Sequence, residues 1–168
     1  MNKQTTISKS ISLSGVGIHT GKKVNLTFKP APPNHGYAFS RIDLEGSPII
    51  QADANLVVDT KRGTNLQKNG VNIHTSEHVL AALVGLEIDN VLIELDATEP
   101  PIMDGSSKFF VDALIKAGIE YQDSERYEYI VRENISFHDE SSGSEITVIP
   151  SENYQVTAMV DFGTKVLG

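Results

Sequence analysis

The chain of 168 residues contains no cysteine. Neither a disulfide framework nor a thiolate metal site can form, so a zinc ion would need histidine, aspartate, glutamate and water as ligands. No apolar run approaches the roughly 20 residues of a membrane-spanning helix. Residues 1–10 also lack an apolar core of signal-peptide length. We therefore expect a cytoplasmic protein without a transmembrane segment.

Positive charge is scarce as well. The chain has 14 Lys and Arg against 22 Asp and Glu, which gives a formal net charge of -8. Proteins that bind the phosphate backbone usually carry a basic surface, so nucleic acid is not an expected partner. A local Lys/Arg pocket for a nucleotide diphosphate is still compatible with this balance. The 39% of hydrophobic and 21% of charged residues are typical of a folded globular protein.

The first part of the chain has the pattern of strands. Apolar side chains alternate with polar ones over residues 7–13 and 24–28, on either side of the glycine-rich segment 14–21. This pattern predicts a hairpin with a glycine-rich loop. The Asn69-Gly70 pair predicts a tight turn. Further short strands are expected at residues 37–42, 49–51, 56–58, 64–66, 71–73 and 91–95.

Two segments have the pattern of amphipathic helices. Apolar residues recur at helical spacing over 76–84, with Thr75 as a plausible N-cap and Gly85 as the stop. A second helix is expected over residues 109–117, stopped at Gly118. Each apolar helix face needs a partner surface to leave water. The sequence therefore predicts an α+β fold, a strand-rich sheet layered with two helices.

The composition turns polar at residues 123–126. We therefore expect a first α+β domain over 1–122, a linker over 123–126, and the opening strands of a second domain over 127–168. The strand-like segments of this second part are 127–137, 145–149 and 154–162. A unit of about 40 residues without a helix is at the lower limit of independent folding, so the second domain is expected to be truncated.

The strongest chemical signal is the pair Glu77-His78 at the start of the first helix. An imidazole can bind a metal and the adjacent carboxylate can take a proton from metal-bound water. Alternatively, Glu77 complements the helix dipole and His78 only caps or packs. His74 completes a His-x-x-Glu-His pattern, which is an inverted zinc motif. However, an N-cap at Thr75 or Ser76 would leave His74 on the preceding strand.

Two further residues are candidates with open roles. His19 lies in the glycine-rich loop, where backbone can approach a ligand closely, or where the histidine is only part of a turn. Asp104 follows Met103 and precedes Gly105-Ser106, and helix capping explains it as well as catalysis does.

Three segments, in order, resemble one family. They are Ser14-Gly15-Val16-Gly17-Ile18-His19-Thr20-Gly21-Lys22-Lys23-Val24, Thr75-Ser76-Glu77-His78 running into Ala81-Ala82-Leu83-Val84-Gly85-Leu86-Glu87-Ile88-Asp89-Asn90, and Pro101-Ile102-Met103-Asp104-Gly105-Ser106. Together they are similar to UDP-3-O-acyl-N-acetylglucosamine deacetylase, which commits Gram-negative bacteria to lipid A synthesis. The resemblance keeps its order and spacing over essentially the whole chain.

The resemblance implies two similar α+β domains, each a sheet carrying two helices, with the active site between them. It implies that Glu77 is the general base, that His78 is a zinc ligand, and that His19 and Asp104 lie near the site. The other zinc ligands, a His and an Asp four apart on a second-domain helix, would lie beyond Gly168. A Lys and a His that stabilise the oxyanion and protonate the leaving amine would lie there too.

The implied reaction is metal-assisted hydrolysis of the N-acetyl amide of a UDP-linked acylated amino sugar, which releases acetate. Because the chain supplies one ligand, we expect an N-terminal portion that is inactive alone. In some bacteria the family is fused to a hydroxyacyl-carrier-protein dehydratase, so the resemblance is compatible with a fused dehydratase domain in the longer protein. The alternatives are a non-catalytic α+β domain that binds a ligand or partner, and a self-sufficient enzyme that uses His74, Glu77 and His78.

Overall fold

The computed structural model describes residues 3–161, which form two compact units that divide between Arg126 and Tyr127. The first unit contains two α-helices, α1 (Glu77–Gly85) and α2 (Lys108–Ala117). Its strands are β1 (Lys3–Ile7), β2 (Ile11–Val16), β3 (Lys23–Pro30), β4 (Tyr37–Arg41), β5 (Ile49–Gln51), β6 (Val57–Asp59), β7 (Asn65–Lys68), β8 (Val71–Ile73), β9 (Val91–Leu95) and β10 (Ile119–Glu125). A 3-10 turn spans Ala54–Leu56. The second unit contains β11 (Ile135–Asp139) and β12 (Ser144–Val148).

The main sheet of the first unit has the strand order β2-β3-β9-β4-β5. All of its neighbours are antiparallel except β4 and β9, which run parallel. The predicted hairpin is confirmed, since β2 and β3 pair on either side of the glycine-rich segment. Alternate residues of β3 and β9 are buried, so one face of the sheet is apolar.

Both helices bury their apolar sides in the same core as this sheet. Val79 and Leu83 of α1 are fully buried, as is Leu114 of α2. Phe110 of α2 meets Phe28 of β3 edge to face, with ring centroids 6.3 Å apart. The predicted α+β class, a strand-rich sheet layered with two helices, is confirmed.

A smaller sheet of β6, β7 and β8 leads into α1. Asn69 and Gly70 join β7 to β8 with φ angles of 51° and 79°, the left-handed pair of a tight hairpin turn. The turn predicted from Asn69-Gly70 is therefore confirmed. The hairpin ends at Ile73, and α1 begins four residues later at Glu77.

The prediction of one continuous strand over residues 7–13 is wrong, because these residues belong to two separate strands. Ile7 ends β1, which pairs with β10, whereas Ile11 begins β2, which pairs with β3. The exposed residues between them are not in a strand, and the backbone N–H of Ser8 donates to the carbonyl of Gly118. Alternation shows which side chains face the core but not where a strand changes partner.

In the second unit, β11 and β12 form an antiparallel hairpin. The strand expected over 127–137 forms only from Ile135, and no strand forms over residues 154–161; residue 162 lies outside the described residues. A segment with a strand-like composition forms a strand only if its backbone groups can pair with the edge of a neighbouring strand. In the second unit, β11 and β12 pair with each other. No helix in the part of the chain that the structure describes is long and apolar enough to cross a membrane.

Candidate functional site

The first turn of α1 begins at Glu77, one residue after the N-cap Ser76. The expectation that Thr75 caps the helix is wrong. Ser76 has no side-chain cap bond, and its hydroxyl and backbone N–H both donate to the carbonyl of Thr64, at 2.9 and 3.1 Å. The start of α1 is thus hydrogen-bonded to the segment that leads into β7.

Thr75 instead adopts a left-handed backbone conformation, with φ 53°. A β-branched residue is strained there and keeps that conformation only if its surroundings hold it. Two contacts do so: its N–H donates to Oδ1 of Asn65 at 3.2 Å, and its hydroxyl donates to Oε1 of Glu99 at 3.0 Å. The sharp bend at Thr75 leaves His74 outside α1.

The Glu77 carboxylate has two different oxygen environments. Its Oε2 accepts a 2.7 Å hydrogen bond from the backbone N–H of Thr64. Its Oε1 lies 3.9 Å from Nε2 of His78, and the two side chains are 38% and 31% exposed. One carboxylate oxygen is therefore fixed by the protein, and the other lies beside an imidazole that solvent or a ligand can reach.

The described residues include no group of three or more His, Asp or Glu that could hold a metal ion. The inverted zinc motif is not formed by His74, Glu77 and His78, because the bend before α1 separates His74 from the helix. Glu77 and His78 offer one imidazole and one carboxylate. This donor set fits a contribution to a catalytic zinc site, which normally needs three protein ligands.

His19 lies beside the loop that holds Glu77. Its Nε2 is 2.9 Å from the carbonyl of Arg62, two residues before Thr64. A pocket of about 330 Å³ opens here. It is lined by His19, Thr20, Asp59, Lys61, Arg62, Asn65, His74 and Glu99.

Asp104 lies in the turn before α2. Its carboxylate accepts bonds from the hydroxyl and the N–H of Ser106, at 2.7 and 3.0 Å, and these bonds lower the pKa of Asp104. Direct capping of α2 by Asp104 is not observed, since the N-cap is Ser107. The Ser107 hydroxyl donates to the backbone carbonyl of His78 at 2.8 Å, which places the Asp104 turn against α1.

Glu99 is the residue that sequence reasoning missed. Its side chain is only 1% exposed, yet it accepts bonds from two separate segments. The backbone N–H groups of His19 and Thr20 and the hydroxyls of Thr20 and Thr75 all donate to it, at 3.0 to 3.2 Å. Burial raises the pKa of Glu99, but the bonds from Thr20, His19 and Thr75 outweigh burial and leave the pKa below its ordinary value.

The glycine-rich loop is shaped around this carboxylate. A Cβ atom on Gly17 would lie 2.4 Å from Oε2 of Glu99, so only glycine allows the loop to approach so closely. No spacing rule links position 99 to position 17 or 19. The one available signal is a lone glutamate just before Pro100-Pro101, after an apolar strand.

Comparisons with known proteins identify the family of the chain. Residues 4–168 match the family model for UDP-3-O-acyl N-acetylglycosamine deacetylase. The chain is 47% identical to the bifunctional enzyme LpxC/FabZ of Bacteroides thetaiotaomicron over 167 residues, 99% of this chain and 36% of that protein. It is 42% identical to the UDP-3-O-acyl-N-acetylglucosamine deacetylase of Myxococcus xanthus, over 95% of this chain and 50% of that one.

The chain is also 41% identical to the UDP-3-O-acyl-N-acetylglucosamine deacetylase of Haemophilus influenzae, over 100% of this chain and 55% of that protein. The chain therefore spans between about a third and just over half of the length of these curated relatives.

Proposed function

Because the chain belongs to the UDP-3-O-acyl N-acetylglycosamine deacetylase family, we propose that it forms part of a zinc-dependent amidohydrolase. The proposed reaction removes the N-acetyl group from UDP-3-O-acyl-N-acetylglucosamine in lipid A biosynthesis. The observation that carries the proposal is the Glu77-His78 pair at the start of α1, with one carboxylate oxygen fixed and the other beside the imidazole.

Glu77 is proposed as the general base. The N–H of Thr64 holds Oε2, which leaves Oε1 to accept a proton from the attacking water. The fixed oxygen restricts the rotation of the carboxylate, so the base keeps its orientation before substrate arrives. The Thr64 N–H also compensates part of the negative charge of Glu77.

His78 is proposed as one zinc ligand. When bound, zinc would lower the pKa of a coordinated water and polarise the amide carbonyl. The contact from Ser107 to the carbonyl of His78 fixes the backbone that carries the imidazole. We propose that the remaining ligands come from parts of the longer relatives that this chain does not span, and that residues 1–168 alone are inactive.

His19 and Asp104 are proposed to lie near the substrate. His19 is hydrogen-bonded to Arg62, and Asp104 lies in the turn that contacts α1, so both border the segments that hold Glu77 and His78.

The two-domain division at residues 123–126, with a truncated second domain over 127–168, stays a proposal, as does a cytoplasmic location. A fused dehydratase domain in the longer protein is also a proposal, suggested by relatives called bifunctional enzyme LpxC/FabZ.

The test compares variants of the full-length protein. We expect Glu77→Ala to retain zinc while deacetylation falls by about two to four orders of magnitude, because a general base contributes that much. We expect His78→Ala to lower both zinc content and activity. Zinc is measured by elemental mass spectrometry, and acetate release from the UDP-sugar substrate gives the rate.

Glu45→Ala is the matched control, since Glu45 is an exposed carboxylate in the loop between β4 and β5. It should match the unsubstituted protein in both measurements. Full activity in Glu77→Ala would disprove the base assignment. Ligand binding without acetate release by the unsubstituted full-length protein would favour a non-catalytic binding domain.

A further inference from the structure

We propose that Glu99 is a positioning residue that holds the His19 loop and the start of α1 in register for catalysis. The role in catalysis rests on the proposed deacetylase function. The structural role does not, and it can be tested separately.

Both oxygens of the Glu99 carboxylate are occupied. Oε1 accepts from the Thr75 hydroxyl at 3.0 Å and from the His19 N–H at 3.2 Å. Oε2 accepts from the N–H and the hydroxyl of Thr20, both at 3.1 Å. A carboxylate that is 1% exposed and accepts hydrogen bonds on both oxygens has its lone pairs directed at protein donors rather than at a metal. Its chemistry is therefore to orient backbone rather than to react.

The hydrogen bond between Glu99 and Thr75 connects Glu99 to the segment that leads into Glu77. The left-handed backbone of Thr75, at φ 53°, directs the chain into α1 two residues before Glu77. Such a conformation is held only when the surroundings over-determine it, and Glu99 supplies one of the two contacts that do so. Loss of the Thr75 contact should let the backbone before α1 relax.

A second series of hydrogen bonds connects Glu99 to Glu77 through the His19 loop. The Glu99 carboxylate holds the N–H of His19, and the ring of His19 contacts the carbonyl of Arg62. Arg62 lies two residues before Thr64, whose N–H holds Oε2 of Glu77. One buried carboxylate thus supports both the helix that carries Glu77 and the loop that orients its side chain.

The structural test uses nuclear magnetic resonance on the 168-residue chain. In Glu99→Gln we expect amide hydrogen exchange at His19 and Thr20 to accelerate by about tenfold or more, because two good acceptors become one. We also expect the amide resonances of Glu77 and His78 to shift. Asp96→Asn is the matched control, since that carboxylate accepts the N–H of Asn25 at 2.7 Å and lies three residues away; it should leave Glu77 and His78 unchanged.

Thr75→Val is the second variant, in case Glu99→Gln does not fold. It keeps the β-branched shape at residue 75 and the loop donors to Glu99, and it removes only the hydroxyl. We expect shifted resonances of Glu77 and His78 with unchanged exchange at His19 and Thr20. Unchanged Glu77 and His78 resonances in Thr75→Val would overturn the proposal, whether or not Glu99→Gln folds.

The catalytic test uses the full-length protein. In Thr75→Val and Glu99→Gln we expect kcat to fall by about tenfold or more with KM little changed, because a misplaced base slows chemistry rather than binding. Zinc content should stay the same. A higher KM with unchanged kcat would overturn the catalytic role. Absence of deacetylation by the unsubstituted enzyme would refute the proposed function and the catalytic role, while the resonance measurements would still decide the structural role.

Discussion

The backbone N–H of Thr64 donates a 2.7 Å hydrogen bond to Oε2 of Glu77. The residue before it, Gly63, adopts φ 147°, and a Cβ there would lie 3.2 Å from both Oε1 of Glu77 and Cα of Thr75. The loop therefore passes so close to the carboxylate that a side chain at position 63 would displace one of them. The orientation of Glu77 depends on a neighbour 13 residues away in sequence.

Gly63→Ala tests this dependence. We expect the free energy of unfolding to fall by about 1 to 3 kcal/mol, because the φ angle is strained for any L side chain and the new methyl group crowds Glu77. The amide resonances of Glu77 and Thr64 should shift with it. Urea denaturation gives the stability and two-dimensional resonance spectra give the local effect.

Gly70→Ala is the matched control for Gly63→Ala. Gly70 also has a positive φ, 79°, but no atom lies within 4 Å of its Cβ position. We expect a comparable loss of stability without any shift at Glu77. Equal shifts at Glu77 in both variants would mean that general loosening, not the close approach of residue 63, disturbs the carboxylate.

Zinc binding by the 168-residue chain should be weak. A single histidine with a neighbouring carboxylate lacks the three protein ligands of a catalytic zinc site, so we expect no stoichiometric binding at micromolar concentration. Isothermal titration with zinc measures this, and His78→Ala serves as the background. Tight one-to-one binding that is lost in His78→Ala would show that the chain brings enough ligands together by itself.

The sequence predicts the parts of this site that follow local rules. The Asn69-Gly70 turn, the glycine-rich hairpin and the two helices all depend on residues close in sequence, and all are confirmed. Glu99 could not be predicted, because its partners lie 24 and about 80 residues away and it shares no periodicity with them. The change of partner between β1 and β2 was missed for the same reason, since pairing partners are set by tertiary contacts.

The contact between Asp89 and Arg126 should stabilise the first unit. Arg126 donates to Oδ2 of Asp89 at 2.9 and 3.1 Å and to the carbonyl of Glu87 at 2.8 Å. The bond to Asp89 is the largest cause that raises the pKa of Arg126. We expect Arg126→Lys to lower the free energy of unfolding by about 1 to 2 kcal/mol in urea, because lysine lacks the planar fork.

Lys108→Gln is the control for the Arg126 variant. Lys108 pairs with Asp112 at 2.6 Å on the exposed side of α2, where water and salt screen the pair, so its loss should change stability little. A loss of similar size in the two variants would mean that Arg126 contributes only as a surface charge.

Tyr37 should make the fold sensitive to alkali. Burial raises the pKa of Tyr37 to about 12, with a further contribution from Asp89, and its hydroxyl donates to the carbonyl of Ile88. The unfolded chain releases the phenol proton near pH 10, so the stabilisation is complete below pH 10 and is lost as pH rises towards 12. Urea unfolding between pH 8 and about 11 should show a steeper decline in the parent than in Tyr37→Phe. Parallel curves would place the phenol in a solvated environment.

Glu99 should impose the opposite dependence, at acid pH. Its pKa lies below the ordinary value of 4.5, so its stabilisation is present above that pH and is lost as pH falls through the lower folded value. The free-energy difference between the parent and Glu99→Gln should therefore shrink from pH 6 towards about pH 3. In Tyr37→Phe the difference should stay constant over this range, because the phenol keeps its proton. A pH-independent difference for Glu99→Gln would mean that the bonds from His19, Thr20 and Thr75 do not favour the charged carboxylate.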